Sequence, residues 1–330
     1  MLKYILKRLL LSIFILLGVS LIIYVLVRCM PYDYVTNKIS ALQSNTSLDA
    51  TAVEKMYEMY GLTDNSFLGI LKGYGNWLAA LCRFDFGKSF VYGDSVLNVI
   101  VDHMGVSFAV ALIATFFEFL IAIPLGITAA THQYSLRDYI VTILVMVGIS
   151  LPTFFFGQIL KDLFAMKLGW FPPSGLVDAT KDFSNVFSLL LDYLRHMFIP
   201  ILTVVILSIG GRMRMTRTNM LEVLSSDYIR TARAKGLKEK VVIYKHAFRN
   251  TLIPLVTTLA GLLPSLFSGA IITEQVFDLP GIGNIAFKAM MQADIPFIMG
   301  YNMFLALLSV IGVLLADLMY AVVVQRVKLN

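Results

Sequence analysis

Six long apolar runs constrain the fold of this 330-residue chain more than any other feature of its sequence. The first run, Leu9 to Val27, has 19 residues and no charged side chain. The hydrocarbon core of a bilayer is about 30 Å thick, and a helix of about 20 mostly apolar residues crosses it. The other runs are 106–131, 140–165, 197–215, 251–274 and 300–324. We therefore predict an all-α, polytopic membrane protein with six transmembrane helices.

The composition agrees with this fold and excludes an ordinary soluble domain. Hydrophobic residues make up 58% of the chain and charged residues only 15%, whereas a soluble domain carries about 25% charged residues. The net charge of +6 is typical of a membrane protein with basic cytoplasmic loops. No recognisable nucleic-acid-binding motif accompanies it, so we predict that the chain contacts membrane lipid and no nucleic acid.

The distribution of lysine and arginine predicts the orientation of the chain, because cytoplasmic loops are enriched in these residues. Residues 212–249 contain ten Lys or Arg and three acidic residues, whereas residues 30–104 contain five and eight. With six spans, both termini and the basic loop lie in the cytoplasm, and residues 30–104 lie outside. Lys3, Lys7 and Arg8 precede the first run. That run is too long for a signal peptide and lacks a small-residue cleavage site, so we interpret it as an uncleaved anchor.

This topology divides the chain into three segments. Residues 1–29 form the cytoplasmic N-terminus and the first span, residues 30–104 form a small, helical extracellular subdomain, and residues 105–330 form a five-helix core. The core includes a cytoplasmic loop at about 216–250. A second external loop, 166–196, contains LGWFPPSG, whose prolines favour a rigid turn.

The sequence contains no pattern of a known catalytic site. The phosphate-binding GxxxxGK[ST] motif, the GxSxG nucleophile turn and the HExxH metal motif are all absent. The four histidines share no ligand spacing, and Cys29 and Cys82 make no metal or redox spacing. We predict that the chain is not an enzyme and binds no metal or cofactor. Both cysteines fall outside the membrane in this topology, and whether they form a disulfide stays open.

A strongly basic segment, YIRTARAKGLKEKVVIYKHAFRN at 228–250, interrupts the apolar sequence with seven Lys or Arg and one acidic residue. The three preceding residues, SSD, are favourable N-cap residues, because their side-chain oxygens accept hydrogen bonds from first-turn N–H groups. Gly236 is suited to end a helix in the left-handed conformation. We therefore predict a two-turn helix, Tyr228 to Lys235, that ends at Gly236.

A second helix should follow, because Leu237, Val241, Tyr244 and Phe248 are spaced to share one helical face. A two-turn helix is too short to persist alone in water, so the loop must pack against another surface. The residues alone leave two interpretations open. The positive charge is that of any cytoplasmic loop, or the structured loop is a docking element for a soluble partner, as its length suggests.

This loop also carries the most specific resemblance in the chain. MTRTNMLEVLSSDYIRTARAKGL followed by HAFRNTLIP resembles the loop signature of ABC importer permeases, specifically the first permease of the oligopeptide, dipeptide or nickel type. The resemblance covers essentially the whole chain and includes FDFGKS at 84–89, SLPTFFFG at 150–157 and TEQVFDLPGIGNIAFKAMMQADIP at 273–296. MPYDY at 30–34 departs from the Pro-Gly-Asp-Pro turn of the family, which leaves the start of the external subdomain undefined.

The resemblance implies that the short helix is a coupling element that sits in a cleft of a cytoplasmic ATPase. Arg230, Thr231 and Ala232 occupy the Glu-Ala-Ala positions of the general motif, and Gly236 occupies its glycine. The first two differ from the general motif in a way that is similar to the peptide-permease version. The expected coupling residues are Tyr228, Arg230, Thr231, Ala232, Ala234, Lys235, Gly236 and Leu237. We expect the alanines and the leucine of this set to contribute more to docking than its basic side chains.

The resemblance also implies the partners and the location of the protein. An importer of this type contains a second homologous permease, two cytoplasmic ATPase subunits and an extracellular substrate-binding lipoprotein, in a bacterial cell membrane. ATP and Mg²⁺ bind the ATPase subunits, which agrees with the missing phosphate loop in this chain. Peptides are the expected substrate, although nickel or another small solute would use the same scaffold. A secondary transporter or channel is the alternative function, for which Glu118 is the only coupling charge well inside a predicted span.

The translocation path is expected along spans two to five. Pro152, Pro264, Ser265 and Ser268 are candidate path residues, because proline and small residues interrupt a helix where a cavity or a neighbour compensates. Close packing between helices explains them equally well. Glu118 lies near the middle of span two, where a charge costs about 2.5–3.5 kcal/mol to insert. It contacts a substrate amino group, or it is protonated and hydrogen-bonded between helices, and we favour the second interpretation.

Overall fold

The computed structural model describes residues 2–29, 66–183, 185–258 and 261–323, and these residues form helices and connecting loops without a β-strand. The first helices are α1 (Leu2–Arg28), α2 (Phe67–Leu81), α3 (Val96–Thr131) and α4 (Leu136–Ser150). They are followed by α5 (Thr153–Leu160), its π-helical continuation Lys161–Lys167, α6 (Val186–Leu224) and α7 (Asp227–Ala234). Next come α8 (Glu239–Val241), a second π-helix (Val242–Phe248) and α9 (Arg249–Thr258). The last helices are α10 (Leu262–Ser268), α11 (Ile271–Val276), α12 (Ile282–Met291) and α13 (Ile295–Val323).

Within the described residues, four helices are long and apolar enough to cross a membrane, namely α1, α3, α6 and α13. They correspond to the first, second, fourth and sixth predicted runs. The predicted run 140–165 is covered by α4 and the α5 segment, which meet at a bend of 102° and together make a fifth candidate span. The predicted run 251–274 falls on α9, α10 and α11, each of which is too short to cross a bilayer alone. Residues 259–260, within this run, lie outside the described residues.

Helices α3 and α6 pack along each other at the centre of the chain. They have 36 and 39 residues, which at 1.5 Å per residue makes them about 54 and 59 Å long. Both helices are therefore longer than the hydrocarbon core of a bilayer, and their ends extend beyond it. The predicted cytoplasmic loop thus begins as helix, because residues 216–224 are the last two turns of α6.

The bend between α4 and α5 has a local cause in the sequence. Pro152 is the N-cap of α5, with φ −60° and ψ 136°, so the chain is extended immediately before the new helix begins. Proline lacks an N–H group and fixes φ, which suits the start of a helix but not its interior. The predicted third span, in which Pro152 was expected to interrupt the helix, is consequently two helices that run in different directions.

Helix α2 packs on α1 through three aromatic side chains. Tyr24 of α1 lies against Tyr74 and Trp77 of α2, with ring centroids 5.6 and 6.1 Å away. The hydroxyls of Ser20 and Tyr74 are 2.8 Å apart, which adds a hydrogen bond to this contact. The α1–α2 contact is therefore an aromatic cluster with one polar link.

The predicted extracellular subdomain, 30–104, is described only in part, because residues 30–65 lie outside the described residues. Residues 67–81 form α2, and residues 96–104 already belong to α3. The connecting turn is tied to the other end of the chain, since the Ser89 hydroxyl donates to the Asp294 carboxylate over 2.5 Å.

Candidate coupling loop and membrane-embedded ion pair

Helix α7 lies within one residue of the helix predicted from the sequence. It covers Asp227–Ala234, and Ser226 is its N-cap. The Ser226 hydroxyl donates to the Val223 carbonyl rather than accepting from the first turn. Gly236 has φ +75°, the left-handed conformation in which a side chain is strained. A glycine-terminated two-turn helix is therefore confirmed at this position.

The inner face of α7 is built into the rest of the chain. Ile229 is fully buried and Ala232 is 7% exposed. These two side chains pack in one cluster with Ile127 and Ala130 of α3, Met220 of α6, and Val242 and Ala247 of the second π-helix. Ala232 was expected to contact a partner. In the structure its side chain is covered by this chain, so its contribution is to internal packing.

The outer face of α7 is exposed and basic. The Arg230 side chain is 75% exposed and lies only 3.7 Å from Asp227. The remaining predicted coupling residues, Tyr228, Thr231, Ala234, Lys235, Gly236 and Leu237, are exposed as well. Seven of the eight predicted coupling residues are therefore exposed, and the eighth, Ala232, is buried.

The turn after α7 is closed by an ion pair. Arg233 donates to both carboxylate oxygens of Glu239, over 3.2 and 2.7 Å. The Arg233 hydrogen bond holds the pKa of Glu239 below its ordinary value. Because the two residues lie on either side of Gly236, the pair joins the end of α7 to the start of α8.

The helix that follows differs from the prediction. A regular α-helix would place Leu237, Val241, Tyr244 and Phe248 on one face, but the first three are exposed whereas Phe248 packs against the buried cluster beneath α7. Residues 242–248 instead form a π-helix, in which the backbone hydrogen bonds run from i to i+5. The buried residues are Val242 and Ala247, five positions apart. The predicted face is wrong because the helical period changes.

A second ion pair connects the base of this loop to α4. Arg217 of α6 donates to both carboxylate oxygens of Asp138, over 3.0 and 2.9 Å. Asp138 is buried and also accepts the backbone N–H of Tyr134 over 3.1 Å. Planar, two-point pairs of this kind fix geometry as well as charge. The C-terminal part of α6 and the start of α4 are therefore linked. Sequence reasoning missed this pair because its members are 79 positions apart.

A third ion pair lies inside the predicted spans. The Nε of Arg212 donates to the Glu118 carboxylate over 2.9 Å, and its Nη1 donates to the Thr258 hydroxyl over 3.1 Å. The guanidinium also lies 4.7 Å from the ring centroid of Phe119. Glu118, Arg212 and Thr258 belong to α3, α6 and α9. The favoured interpretation, in which Glu118 is hydrogen-bonded between helices, agrees with this geometry, although its partner is a charged arginine.

A shallow, open apolar groove lies near this ion pair. It has a volume of about 580 Å³ and lies between α3 and α10, where Phe116, Phe119 and Leu262 are among its walls. Phe119 therefore contacts the Arg212 guanidinium and also lines the groove.

The other predicted path residues are not gathered around the ion pair. Pro152 is at the bend before α5. Ser265 and Ser268 lie in α10, where their hydroxyls donate to carbonyls of their own helix over 2.8 and 3.2 Å. Pro264 lies in the first turn of the same helix. The predicted path residues therefore lie at three separate places, which are the Glu118 position, the Pro152 bend and α10.

Cys29 and Cys82, whose pairing was left open, are free and exposed.

A buried carboxylate that the sequence analysis did not single out organises the segment after α10. Glu274 is 1% exposed. Its carboxylate accepts the Ser107 hydroxyl over 2.6 Å and the backbone N–H groups of Ala270 and Asn284 over 3.0 and 2.9 Å. Glu274 thus joins α11, α12 and α3. Glu274 lies in the sequence motif TEQVFDLPGIG. The glycines of this motif are the signal by which the buried carboxylate could have been found, since a side chain at Gly281 would collide with it.

The long apolar helices of the described residues are those of a helical membrane protein. The chain belongs to the family described as binding-protein-dependent transport system inner membrane components, whose model matches residues 122–329. The resemblance to ABC importer permeases seen in the sequence is confirmed. The protein is therefore a multi-pass membrane permease component.

Relatives with similar sequences extend over the whole chain. It is 36% identical to the oligopeptide transport system permease protein AppB of Bacillus subtilis (strain 168) over 99% of this chain and 100% of that protein. It is 30% identical to the dipeptide transport system permease protein DppB of Alkalihalophilus pseudofirmus, with coverage of 99% and 100%. A putative peptide transport system permease protein of Brucella abortus (strain 2308) is 32% identical, with 98% of both chains covered.

A solved structure shares the fold. A chain of the MetNI methionine ABC transporter in an inward-facing conformation matches with a TM-score of 0.51. The match covers 69% of this chain and 97% of that chain at 17% sequence identity. This chain therefore shares its fold with a chain of an ABC transporter.

Proposed function

We propose that this protein is one of two transmembrane subunits of an ATP-driven importer of oligopeptides or dipeptides, and that its cytoplasmic loop couples the transport path to ATPase subunits. The peptide substrate is supported by the names of the relatives, which are oligopeptide, dipeptide and putative peptide transport permeases. The expected partners are a second homologous permease, two cytoplasmic ATPase subunits and an external substrate-binding lipoprotein. ATP and Mg²⁺ act on the ATPase subunits.

In this proposal the chain crosses a bacterial cytoplasmic membrane six times. The α4 and α5 segments form the third span, and α9, α10 and α11 form a broken fifth span. Both termini and α7 face the cytoplasm, because residues 212–249 carry the largest excess of lysine and arginine. Residues 30–104 then form the external subdomain, and residues 105–330 form the core with its loop at about 216–250.

One observation carries the coupling proposal, namely that α7 has an exposed outer face and an inner face packed on the two central helices. Ile229 and Ala232 contact the cluster that contains residues of α3 and α6. A partner that grips the outer face therefore moves a helix that is in direct contact with both central helices. A solvated loop without this packing would not transmit such a movement.

The proposed transmission runs from α7 to the membrane-embedded ion pair. Closure of the ATPase subunits displaces α7, and its buried contacts with Ile127 and Met220 pass the displacement to α3 and α6. The Arg217–Asp138 pair passes part of it to α4. Since Glu118 and Arg212 hold α3 and α6 together near the predicted path, relative movement of these helices changes the shape of that path.

The roles of the individual residues follow from their positions. Seven exposed residues, which are Tyr228, Arg230, Thr231, Ala234, Lys235, Gly236 and Leu237, form the proposed docking surface. Ala232 supports it from beneath. Pro152, Pro264, Ser265 and Ser268 remain proposed path residues at the bend and in α10, and Glu118 is proposed to act there through its pair with Arg212.

A matched pair of substitutions tests the docking surface. Ala234→Asp places a charge on the exposed face of α7, whereas Lys245→Asp introduces the same side chain at an exposed position of the same loop outside α7. Copurification of the ATPase subunits and peptide uptake into proteoliposomes are measured for both variants. We expect Ala234→Asp to reduce both copurification and uptake. Lys245→Asp should keep most of the wild-type copurification and uptake. Equal behaviour of the two variants would argue against docking at α7.

A further inference from the structure

Helix α2 belongs to the segment predicted to lie outside the membrane, yet one of its side chains contacts the middle of α1. The Tyr74 hydroxyl is 2.8 Å from the Ser20 hydroxyl and donates to the Leu17 carbonyl over 3.3 Å. The apolar run of α1, Leu9 to Val27, is about 28 Å long as a helix, which matches the hydrocarbon core of a bilayer. Within this run, Ser20 lies about 10 Å and Leu17 about 15 Å inward of Val27. The Tyr74 side chain therefore reaches into the hydrocarbon region.

The contact is of the kind that hydrocarbon requires, because a polar group there finds no water and must be satisfied by the protein. Ser20 is fully buried, and its hydroxyl donates to the Leu17 carbonyl over 2.8 Å. The Tyr74 hydroxyl joins the same two oxygen atoms. The rings of Tyr24 and Trp77, both 1% exposed, pack beside this contact with centroids 6.1 Å apart. The depth of α2 along α1 is therefore fixed by packing and by hydrogen bonds.

The exposed side of α2 has an apolar flank and a polar flank. Successive residues of an α-helix are about 100° apart, so Leu71 and Leu78 lie about 60° and 40° from Tyr74, the side chain that points toward the middle of the membrane. Lys72 and Asn76, which are both exposed, each lie about 160° from Tyr74. Lys72 is the only charged residue of α2. The apolar flank thus faces the membrane interior, and the polar flank faces away from it.

The apolar flank continues the lipid-facing surface of α1. Leu68 and Leu71 are among the most exposed apolar side chains of α2, and Ile22 and Leu26 are similarly exposed on α1. Exposed apolar side chains on a helix that crosses a membrane face the acyl chains. Because α2 contacts α1 at the depth of the hydrocarbon core, its exposed leucines lie beside the same acyl chains.

We propose that α2 is an interfacial helix, whose apolar flank lies on the acyl chains of a phospholipid leaflet and whose Lys72 ammonium lies among the lipid phosphates. Helices of this type lie in the membrane plane with the apolar face about 5–10 Å below the headgroup boundary. A lysine stem is long enough to carry its ammonium to the headgroups while its carbons stay on the apolar surface. In the proposed orientation of the chain, this leaflet is the outer one.

The proposed placement gives α2 a role in the fold. Its aromatic residues pack in one cluster with Phe90, which precedes α3, and with Ile295 and Met299 at the start of α13. A helix that rests on lipid therefore holds these two regions at the membrane surface. The inference depends on α1 crossing the membrane, and it is independent of the peptide substrate and of the ATPase subunits.

The test measures the surroundings of single spin labels in the complete transporter, reconstituted in liposomes of phosphatidylethanolamine and phosphatidylglycerol. Cys29→Ser and Cys82→Ser first remove the two free, exposed thiols. Leu71→Cys and Asn76→Cys then place labels on the two flanks of α2, and Ile22→Cys places one on the lipid-facing surface of α1. Power-saturation electron paramagnetic resonance gives the collision rate of each label with oxygen, which dissolves in acyl chains, and with a water-soluble nickel chelate.

We expect the ratio of the oxygen rate to the nickel rate at Leu71 to match the ratio at Ile22 and to exceed that at Asn76 several-fold. Frequent collisions with nickel at both Leu71 and Asn76 would place α2 in water and overturn the inference. Low rates with both reagents at Leu71 would show that protein covers this flank, which also overturns it. Lipid-like ratios at both positions would place the whole helix inside the hydrocarbon core and contradict the interfacial placement.

Peptide uptake by liposomes that contain the wild-type transporter is measured separately. The spin labels report the position of α2 whether or not peptide is transported. Absence of uptake together with a lipid-like ratio at Leu71 would therefore overturn the proposed function and support this inference.

Discussion

The Glu118 carboxylate and the Arg212 guanidinium meet 2.9 Å apart between the two central helices of the chain. Their side chains are 11% and 18% exposed, so most of the hydration that ions have in water is lost. Such a pair is stable only while both members are present, because removal of one leaves an uncompensated charge. Arg212 therefore accounts for a glutamate in the middle of a predicted span.

The first prediction is a double-mutant cycle on this pair. Glu118→Gln should lower the thermal midpoint of the purified protein markedly, since an unpaired buried charge costs about 3–5 kcal/mol. The double variant Glu118→Gln with Arg212→Gln should recover much of this loss. The thermal midpoint is measured by size-exclusion chromatography of samples heated to increasing temperatures. If Glu118→Gln abolishes transport without a change in the midpoint, the carboxylate acts on the substrate and not on the arginine.

A second prediction concerns the turn that ends α7. Gly236 has φ +75° and open space where a Cβ atom would lie, so Gly236→Ala costs only the backbone strain of about 1–2 kcal/mol. Gly236→Pro is more disruptive, because proline requires φ near −65°. We expect both variants to reach the membrane and peptide uptake to fall in the order wild type, alanine, proline. Normal uptake by the proline variant would remove the glycine from the coupling element.

The sequence already identified α7 and its terminating glycine, because caps and left-handed glycines are local signals. It also identified the four long helices, since length and apolarity are sufficient for them. It did not identify the π-helix at Val242–Phe248, where a regular period of 3.6 residues was assumed. An interruption at Pro152 was expected from the proline itself, but the 102° angle between the two helices was not. In both places the composition resembles that of an ordinary helix, and packing decides the geometry.

The candidate site was less accessible to sequence reasoning than the helices. Arg212 was counted as loop charge, and its partner is 94 positions away. Ala232 was placed on the docking surface because a small residue in a basic helix suits close contact, yet it contacts its own chain. A helical pattern gives the relative directions of side chains but not which direction faces inward. The exposure of the other seven candidate coupling residues agrees with the expectation, whereas the burial of Ala232 was not predicted.

The third prediction is a pH effect at the Arg233–Glu239 pair. The pKa of Glu239 is lowered in the folded loop by the Arg233 hydrogen bond. The pair therefore stabilises the loop fully above the ordinary pKa of glutamate, and this contribution is lost as the pH falls through the lowered value. Amide-exchange protection factors for residues 233–241 should be constant from about pH 8 to pH 5 and fall below about pH 4.

The control for this prediction is Glu239→Gln, which cannot titrate. An exposed pair contributes about 0.2–1 kcal/mol, so protection in this variant should be roughly 1.5- to 5-fold lower at neutral pH. It should also lose the decline at acidic pH. A variant that keeps the wild-type pH profile would assign that profile to other groups.

The fourth prediction tests the buried Glu274 carboxylate. A Cβ atom at Gly281 would lie closer to this carboxylate than van der Waals contact allows, whereas one at Gly211 would meet nothing within 4 Å. Gly281→Ala should therefore lower the thermal midpoint, and Gly211→Ala should leave it unchanged or raise it, because alanine favours a helix. Equal midpoints for the two variants would show that the segment around Glu274 adjusts freely.

The central claim is that α7 drives the membrane helices through its buried face, and Ile229→Ala tests it most directly. This change removes apolar contact beneath α7 but leaves its exposed surface intact. Peptide transported per ATP hydrolysed is measured in proteoliposomes that contain the complete transporter. We predict that the ATPase subunits still copurify and that this ratio falls several-fold. A ratio equal to that of the wild type, with the ATPase subunits bound, would contradict the account.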